Sequence, residues 1–248
     1  MTVINPFHFP DSCHVNQRIA KVLFAENGPL TPGDRRAFKN EIAEICCSYV
    51  LDENHGVMLS ASSDEEREYG SFVQIDVSLK KPGKALRIAE LCHRAMPYPL
   101  LVILHDGERV MFSMAEKRFS RDGKEQVVLE RAVHTPWQLE TSLEAFYAEA
   151  DFALFHKDSF RELYFYYMNL LEALICFVIT GKLQTVGVDP ERRREVLEEI
   201  HRLDQEIAAG KSRVKDESEL SVLVEWNMAV KNLEQRRREI IQKWKGDL

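Results

Sequence analysis

The sequence predicts an α/β (α+β) N-terminal module with a mixed sheet, followed by an all-α segment ending in a helical hairpin or coiled coil. Three observations predict it. Strand-length apolar runs alternate with one helical stretch between residues 72 and 134, the apolar period turns helical from about Thr141, and residues 188–248 carry a seven-residue repeat. Breaks at Pro136 and Gly187 divide the chain into an α/β module over 1–137, a helical connector over 138–187 and an antiparallel hairpin over 188–248.

Taken in order, "HVNQRIAKVLFAENG" sets Val15, Ile19, Val22 and Leu23 on one side of a short helix that Gly28 closes. In "TPGDRRAFKNEIAEICCSYV", Thr31 is the expected N-cap, Pro32 the first helical residue and Asp34 an acid in the first turn. Phe38, Ile42, Ile45 and Tyr49 extend this helix at helical spacing, so Cys46 and Cys47 face different directions and make a poor start to a zinc site. A first strand is expected near "GVMLSA". In "SFVQIDVSL", Val73, Ile75, Val77 and Leu79 alternate with Gln74, Asp76 and Ser78, the pattern of a half-buried strand with solvated Asp76 and Lys80.

"KPGKALRIAELCHRAM" forms a helix carrying Leu86, Ile88, Leu91, Cys92 and Ala95, and Pro97 and Pro99 stop it. Leu100 to Leu104 is apolar throughout, as in a strand covered on both faces, and Asp106-Gly107 suits a tight hairpin to the next strand. "EQVVLERAVH" adds another strand before Pro136. The long aromatic run Leu163 to Thr180 approaches a bilayer span in length. Glu172 and Asn169 in its middle argue for a core or interface helix and no membrane.

Asp189 and Pro190 start the last region, where Val196, Ile200, Leu203 and Ile207 form one apolar seam. Leu223, Trp226, Val230, Leu233, Ile240 and Trp244 form another, with Arg237 as a polar intrusion. Gly210 and "KSRVKDES" lie between them as the connection. A coiled coil with another chain, and hence a homodimer, is the rival to an intramolecular hairpin.

The formal charge of -7 opposes non-specific capture by nucleic acid or anionic lipid, so any DNA contact would be local. Residues 191–248 hold 13 basic and 13 acidic side chains, which places the net negative charge upstream. Five cysteines without CxxC spacing, and an N-terminus without the basic-then-apolar plan of an export signal, point to reduced thiols in the cytoplasm. Neither GxGxxG nor GxxxxGK[ST] occurs, so no nucleotide cofactor is expected.

Three segments, "FHFPDSCHVNQRIAKVLF", "CHRAMPYPLLVIL" with "FSMAEKRF", and "VEWNMAVKNLE", resemble a bacterial family of unknown function numbered four-three-nine-one. Trp226 stands where similar sequences lead one to expect leucine. The resemblance implies an accessory role beside DNA methyltransferases and superfamily-two helicases in restriction-like anti-phage defence, with those proteins as partners. It supplies no catalytic residues.

The defence setting makes a metal-dependent nuclease the enzyme class to weigh. Such nucleases resemble one another in an acid on one strand and an acid-x-Lys triplet on the next, whose carboxylates hold Mg²⁺. Here Asp76 and Lys80 bracket Ser78, which stands where the second acid is needed, and Glu66 or Glu68 would have to supply the missing carboxylate. No cofactor is expected outside that alternative.

A charged corner of His93, Arg94, Tyr98, His105, Lys117 and Arg118 could bind a phosphate or a partner's carboxylate; its plainer reading gives His93 and Arg94 to charge compensation at a helix C-terminus. Folding the hairpin brings Arg192, Arg193 and Arg194 level with Arg236, Arg237 and Arg238, six arginines that could meet DNA phosphates or pair with neighbouring glutamates. The leading expectation is a non-catalytic scaffolding subunit, with the nuclease and the arginine patch as alternatives.

Overall fold

The computed structural model describes residues 5–26, 30–120 and 123–247. Two compact units part between Leu171 and Glu172, inside the aromatic helix. In chain order the first carries β1 (His14–Arg18), α1 (Lys21–Glu26), α2 (Pro32–Glu41), β2 (Ile42–Leu51), β3 (Ser62–Ser63), β4 (Glu68–Tyr69), β5 (Phe72–Leu79) and α3 (Ala85–Ala95). There follow β6 (Leu100–Asp106), β7 (Arg109–Ser120), β8 (Gly123–His134), β9 (Gln138–Leu139), α4 (Glu144–Glu149) and α5 (Phe160–Thr180), the last shared with the second unit.

The main sheet is mixed, ordered β1-β2-β5-β6-β7-β8 with β9 beside β7. Its one parallel pair among the described strands is β5–β6, joined through α3; β6 and β7 turn at Gly107-Glu108, one residue beyond the expected Asp106-Gly107, with Gly107 at a positive φ of 62° and Asp106 paired to Arg109. On one face Ile75, Val77, Val102, Leu104, Ile88 and Cys92 pack with Phe38 of α2. On the other, Phe7, Phe9, Phe72, Phe112, Phe146 and Tyr167 make a network of tilted and edge-to-face rings. Both faces are therefore covered, and β5 is buried at every residue but Ser78.

Several elements differ from expectation. Residues 14–18 are a strand, helix α1 begins at Lys21, and Val22 is 56% exposed; Gly28 lies outside the described residues. The capping box at Thr31 and Asp34 forms, yet α2 ends at Glu41 and Ile42–Leu51 continues as a central strand. The β-branched and aromatic character of that run suits a strand, and pairing with both β1 and β5 supplies the backbone partners. Cys46 and Cys47 thus point to opposite sheet faces. "GVMLSA" forms no strand; Ser60 makes only an isolated bridge to Ser159. Leu86, expected in the core, is 56% exposed on α3.

From β6 onward the order of elements follows expectation, except that β9 pairs with β7 at the start of the stretch expected to be helical and that Gly210 lies outside the hairpin's connection. Tyr164 of α5 ties the aromatic helix to β7, accepting from the Ala115 amide at 3.1 Å and donating to its carbonyl at 2.6 Å. In the second unit, α6 (Pro190–Asp216) and α7 (Leu220–Asp247) pack as an antiparallel hairpin within one chain. Asp189 caps α6 by accepting from the Glu191 amide, and Val196, Ile200, Leu203, Ile207, Val230 and Trp244 fill the seam. Gly210 is not the turn. It is buried inside α6, where a Cβ would come within 2.6 Å of Val230 Cγ2, so the glycine sets a close helix crossing and residues 217–219 connect the arms.

The aromatic helix is long and apolar enough to cross a membrane, but 61% of its most apolar window is buried inside the protein. Glu172, 2% exposed, lies 3.7 Å from Arg194 of α6. That pairing answers the carboxylate that argued against a span.

Candidate functional site

A buried polar group sits on the aromatic face of the sheet, where β2, β5 and β6 run side by side. Asp76, 2% exposed, is its centre. Its Oδ1 accepts from His105 Nε2 at 2.6 Å, and its Oδ2 accepts from Gln74 Nε2 at 3.0 Å and from the Ser48 hydroxyl. A carboxylate only accepts, so in this contact His105 Nε2 is the donor. The register explains the meeting: Asp76 stands beside Ile103 and His105 beside Ser78, near the C-terminal ends of the parallel pair. A β2 bulge between Cys47 and Tyr49 brings Ser48 to the same carboxylate. Ser48 therefore donates to Asp76, whereas the serine of a hydrolytic relay donates to the imidazole.

The expectation of a solvated Asp76 is overturned, because both sheet faces are covered and β5 is central. Lys80 lies exposed past the end of β5, its amide donating to Glu41 O at 2.6 Å. Glu66 and Glu68 belong to the β3–β4 hairpin, which precedes the start of β5 at Phe72, about 13 Å along the strand from Asp76. No group of three or more His, Cys, Asp or Glu side chains among the described residues is placed to hold a metal ion.

Glu66 and Glu68 instead help line a small surface cleft with Tyr69, Pro97, Pro99, Lys117, Arg118 and Tyr164. Two separately predicted groups thus meet there. Lys117 is buried, and its ammonium donates to Met96 O at 2.7 Å and Tyr98 O at 2.8 Å, fastening the turn between α3 and β6. Burial pushes its pKa down to about 7. Arg118 lies 3.3 Å from Glu130, which also accepts from Arg67 at 2.6 Å.

The rest of the charged corner disperses. Tyr98 is 53% exposed, while Arg94 pairs with Glu90 at 2.9 Å, in a surface chain that continues through Arg87 to Asp34. The Arg87 guanidinium holds the Asp34 carboxyl well below the usual range. His93 is no surface cation at the helix end: it is fully buried, its Nε2 lies 2.8 Å from Ser113 Oγ, and burial drives its pKa well below the ordinary imidazole value.

In the hairpin the six arginines are engaged one by one. Arg192 donates to Glu195 at 3.0 Å, buried Arg193 donates to Gln184 O at 2.9 Å, and Arg194 faces Glu172. Arg236 donates to Glu199 at 2.8 Å, Arg237 to Asp204 at 2.6 Å and Arg238 to Gln235 at 2.8 Å. Arg237 is thus accommodated at the seam's edge by an acid on the facing helix. Trp226, in the seam position expected for leucine, lies half-buried with the Arg213 guanidinium 4.8 Å from its ring centre.

The family model described as domain of unknown function DUF4391 matches residues 7–236. The chain belongs to the DUF4391 family. Comparison with curated proteins and with solved structures gives no match. The family match spans the Asp76 group, the cleft and most of the hairpin, but its description assigns no role to any of them. Sequence reasoning named Asp76 and His105 apart and missed their pairing, together with Ser48 and Gln74. Polar residues within a run of strand-length hydrophobics were the one signal that could have flagged them.

A further feature escaped the sequence reading altogether. On α7, Leu220, Val224 and Met228 are 76%, 53% and 61% exposed and recur every four residues, on the side away from the seam.

Proposed function

We propose that this DUF4391 chain is a non-catalytic, cytoplasmic accessory subunit of a bacterial restriction-like anti-phage system. Its α/β unit is a platform, and its hairpin is the assembly element through which DNA-processing proteins, a helicase and a DNA methyltransferase, are held together. The observation that carries this reading is the line Leu220, Val224 and Met228, three large apolar side chains left in solvent while the hairpin's own seam is filled. A helix stripe at this spacing is a surface that a groove or another helix recognises.

The engagement of all six arginines by carboxylates, a carbonyl and an amide favours protein docking over a free phosphate-binding patch. The separation of Asp76 from Glu66 and Glu68 likewise favours an accessory role over the Mg²⁺-dependent nuclease. Co-expression of the full chain with the methyltransferase and helicase of the proposed system, followed by affinity purification, tests the proposal. Both should be retained by the wild-type chain and lost when Val224→Glu and Met228→Glu are combined. Unchanged recovery with that variant would exclude the stripe, and cleavage of DNA by the purified wild type but not Asp76→Ala would exclude the non-catalytic role.

A further inference from the structure

The first unit neutralises its cations except on one surface. Arg67, Arg87, Arg94, Arg109, Arg118 and Arg131 each lie against a carboxylate. Six others, Arg35, Arg36 and Lys39 on α2 and Lys80, Lys81 and Lys84 after β5, are exposed, and among the described residues none of them makes an ion pair. Two contacts lay these segments side by side. Asp34, in the first turn of α2, accepts from Arg87 of α3 at 2.9 Å, and the Lys80 amide donates to Glu41 O, at the other end of α2, at 2.6 Å. The helix therefore runs antiparallel to residues 80–87 and packs on the Pro82–Lys84 turn, which gathers the six cations on one stretch of surface.

The local acids do not answer them. Asp34 holds Arg87, Glu44 lies 3.4 Å from Arg18, and Glu41 keeps one carboxylate oxygen buried. Lys21, whose ammonium donates to Ile42 O close by, has its pKa pushed down by burial and then by repulsion from Lys80 and Arg18. In a chain of formal charge -7, six unneutralised cations on one surface repel one another, and a bound polyanion removes that repulsion.

The neighbours of these cations select the polyanion. No exposed large hydrophobic residue lies in 35–41 or 80–84, so the surface offers neither a wedge for a bilayer nor an apolar anchor for a protein. Leu86, nearest along the chain, is two residues past Lys84 and so projects to the opposite side of α3. Phe38, the one aromatic residue of the two segments, is buried, so the bases of a single strand have no platform to stack on. The rest of the unit carries the net negative charge and repels an extended anionic sheet, whereas a narrow duplex touches the cations alone.

We propose that this surface binds the phosphate backbone of a nucleic-acid duplex without reading its sequence, so that the α/β unit rests on the duplex while the hairpin carries the assembly. The contact adds to the scaffolding reading and does not depend on it. From Asp34 to Glu41 α2 spans about 10 Å, over which one strand presents about three phosphates, so the logarithm of affinity should fall with the logarithm of salt at a slope of about -3. Binding should be weak, with Kd on the order of 1–100 µM near physiological salt.

The test is fluorescence anisotropy of a short labelled DNA duplex of arbitrary sequence, and of an RNA duplex of the same sequence, titrated with the full chain at several salt concentrations. Whichever duplex binds more tightly identifies the source of the phosphates. Combining Arg36→Gln, Lys81→Gln and Lys84→Gln, three exposed positions whose fold circular dichroism checks, should weaken binding by roughly 30-fold or more and flatten the slope, by about 1 for each cation removed. Arg236→Gln with Arg238→Gln in the hairpin should leave affinity and slope unchanged.

Absence of salt-dependent binding to either duplex overturns the inference, as does a triple variant that binds like the wild type or a loss that follows the hairpin pair instead. Tighter binding to phosphatidylserine vesicles or to poly-glutamate than to either duplex also overturns it. A wild type that binds a duplex through these residues but retains neither methyltransferase nor helicase keeps this inference and sinks the scaffolding reading. Retention of both enzymes without duplex binding does the reverse.

Discussion

The sheet of the first unit and the hairpin of the second handle charge in opposite ways. Asp76 is buried in the sheet and accepts from Ser48, Gln74 and His105. Asp204, by contrast, sits at the edge of a helix pair, 48% exposed, with Arg237 across from it. The carboxylate chemistry is identical, yet water can replace the lost partner at one place and not at the other. Importance in this chain therefore follows coverage by neighbouring elements, and residue type alone says little about it.

The comparison is broken most directly at Asp76. Asp76→Ala leaves the buried Ser48 and Gln74 donors and the partly buried His105 without their acceptor and should destabilise the first unit by about 3–5 kcal/mol, read from urea unfolding. If the loss is under about 1 kcal/mol, water reaches the site and the contrast with the hairpin collapses.

A second test uses pH. The folded pKa of Lys117 is depressed to about 7, so the unfolded chain binds the extra proton between that value and the ordinary lysine value near 10.5. Stability should consequently rise with pH, by about 2–3 kcal/mol between pH 7 and 9, and the slope should flatten in Lys117→Met. His93 acts with the same sign lower down: its folded pKa is also depressed, so its contribution is present above about pH 6.5 and is lost as pH falls below it. Unfolding midpoints at pH 6, 7.5 and 9 check both.

In the hairpin the largest effect should come from shape. Gly210→Ala sets a Cβ against Val230, and the overpacking outweighs alanine's helix preference, for a net loss of about 1–2 kcal/mol. Hydrogen exchange should quicken along α6 and α7 while β5 and β6 stay protected. Smallest of all, Arg237→Ala should cost no more than about 1 kcal/mol, because its pair with Asp204 is open to water. A larger loss would show that Arg237 acts as part of the seam, through its aliphatic stem.

Much of the architecture was legible in local signals. Pro97, Pro99, Gly107 and the capped start at Asp189-Pro190 all act within a few residues of themselves, and each did what its chemistry required. The errors fell where local signals are ambiguous. Ile42, Ile45 and Tyr49 satisfy a helical spacing, but pairing with β1 and β5 decided for a strand. Gly210 reads as a turn residue and is a packing residue, since only the facing Val230 reveals why a side chain is excluded. The candidate site was legible only in pieces, because Ser48, Asp76 and His105 lie 28 and 29 residues apart.

By itself the sequence determined the fold class, the order of a mixed-sheet unit before a helical one, the family and the two seams of the hairpin. Periodicity, proline, glycine and capping are properties of neighbouring residues, so they survive without coordinates. Only the tertiary structure decided which polar groups are sealed and which stay wet. Coverage of Asp76, withdrawal of Lys117 from water, engagement of the six arginines and exposure of Leu220, Val224 and Met228 all depend on what distant segments bring alongside. Burial is a property of the surroundings, and no residue carries it in its own identity.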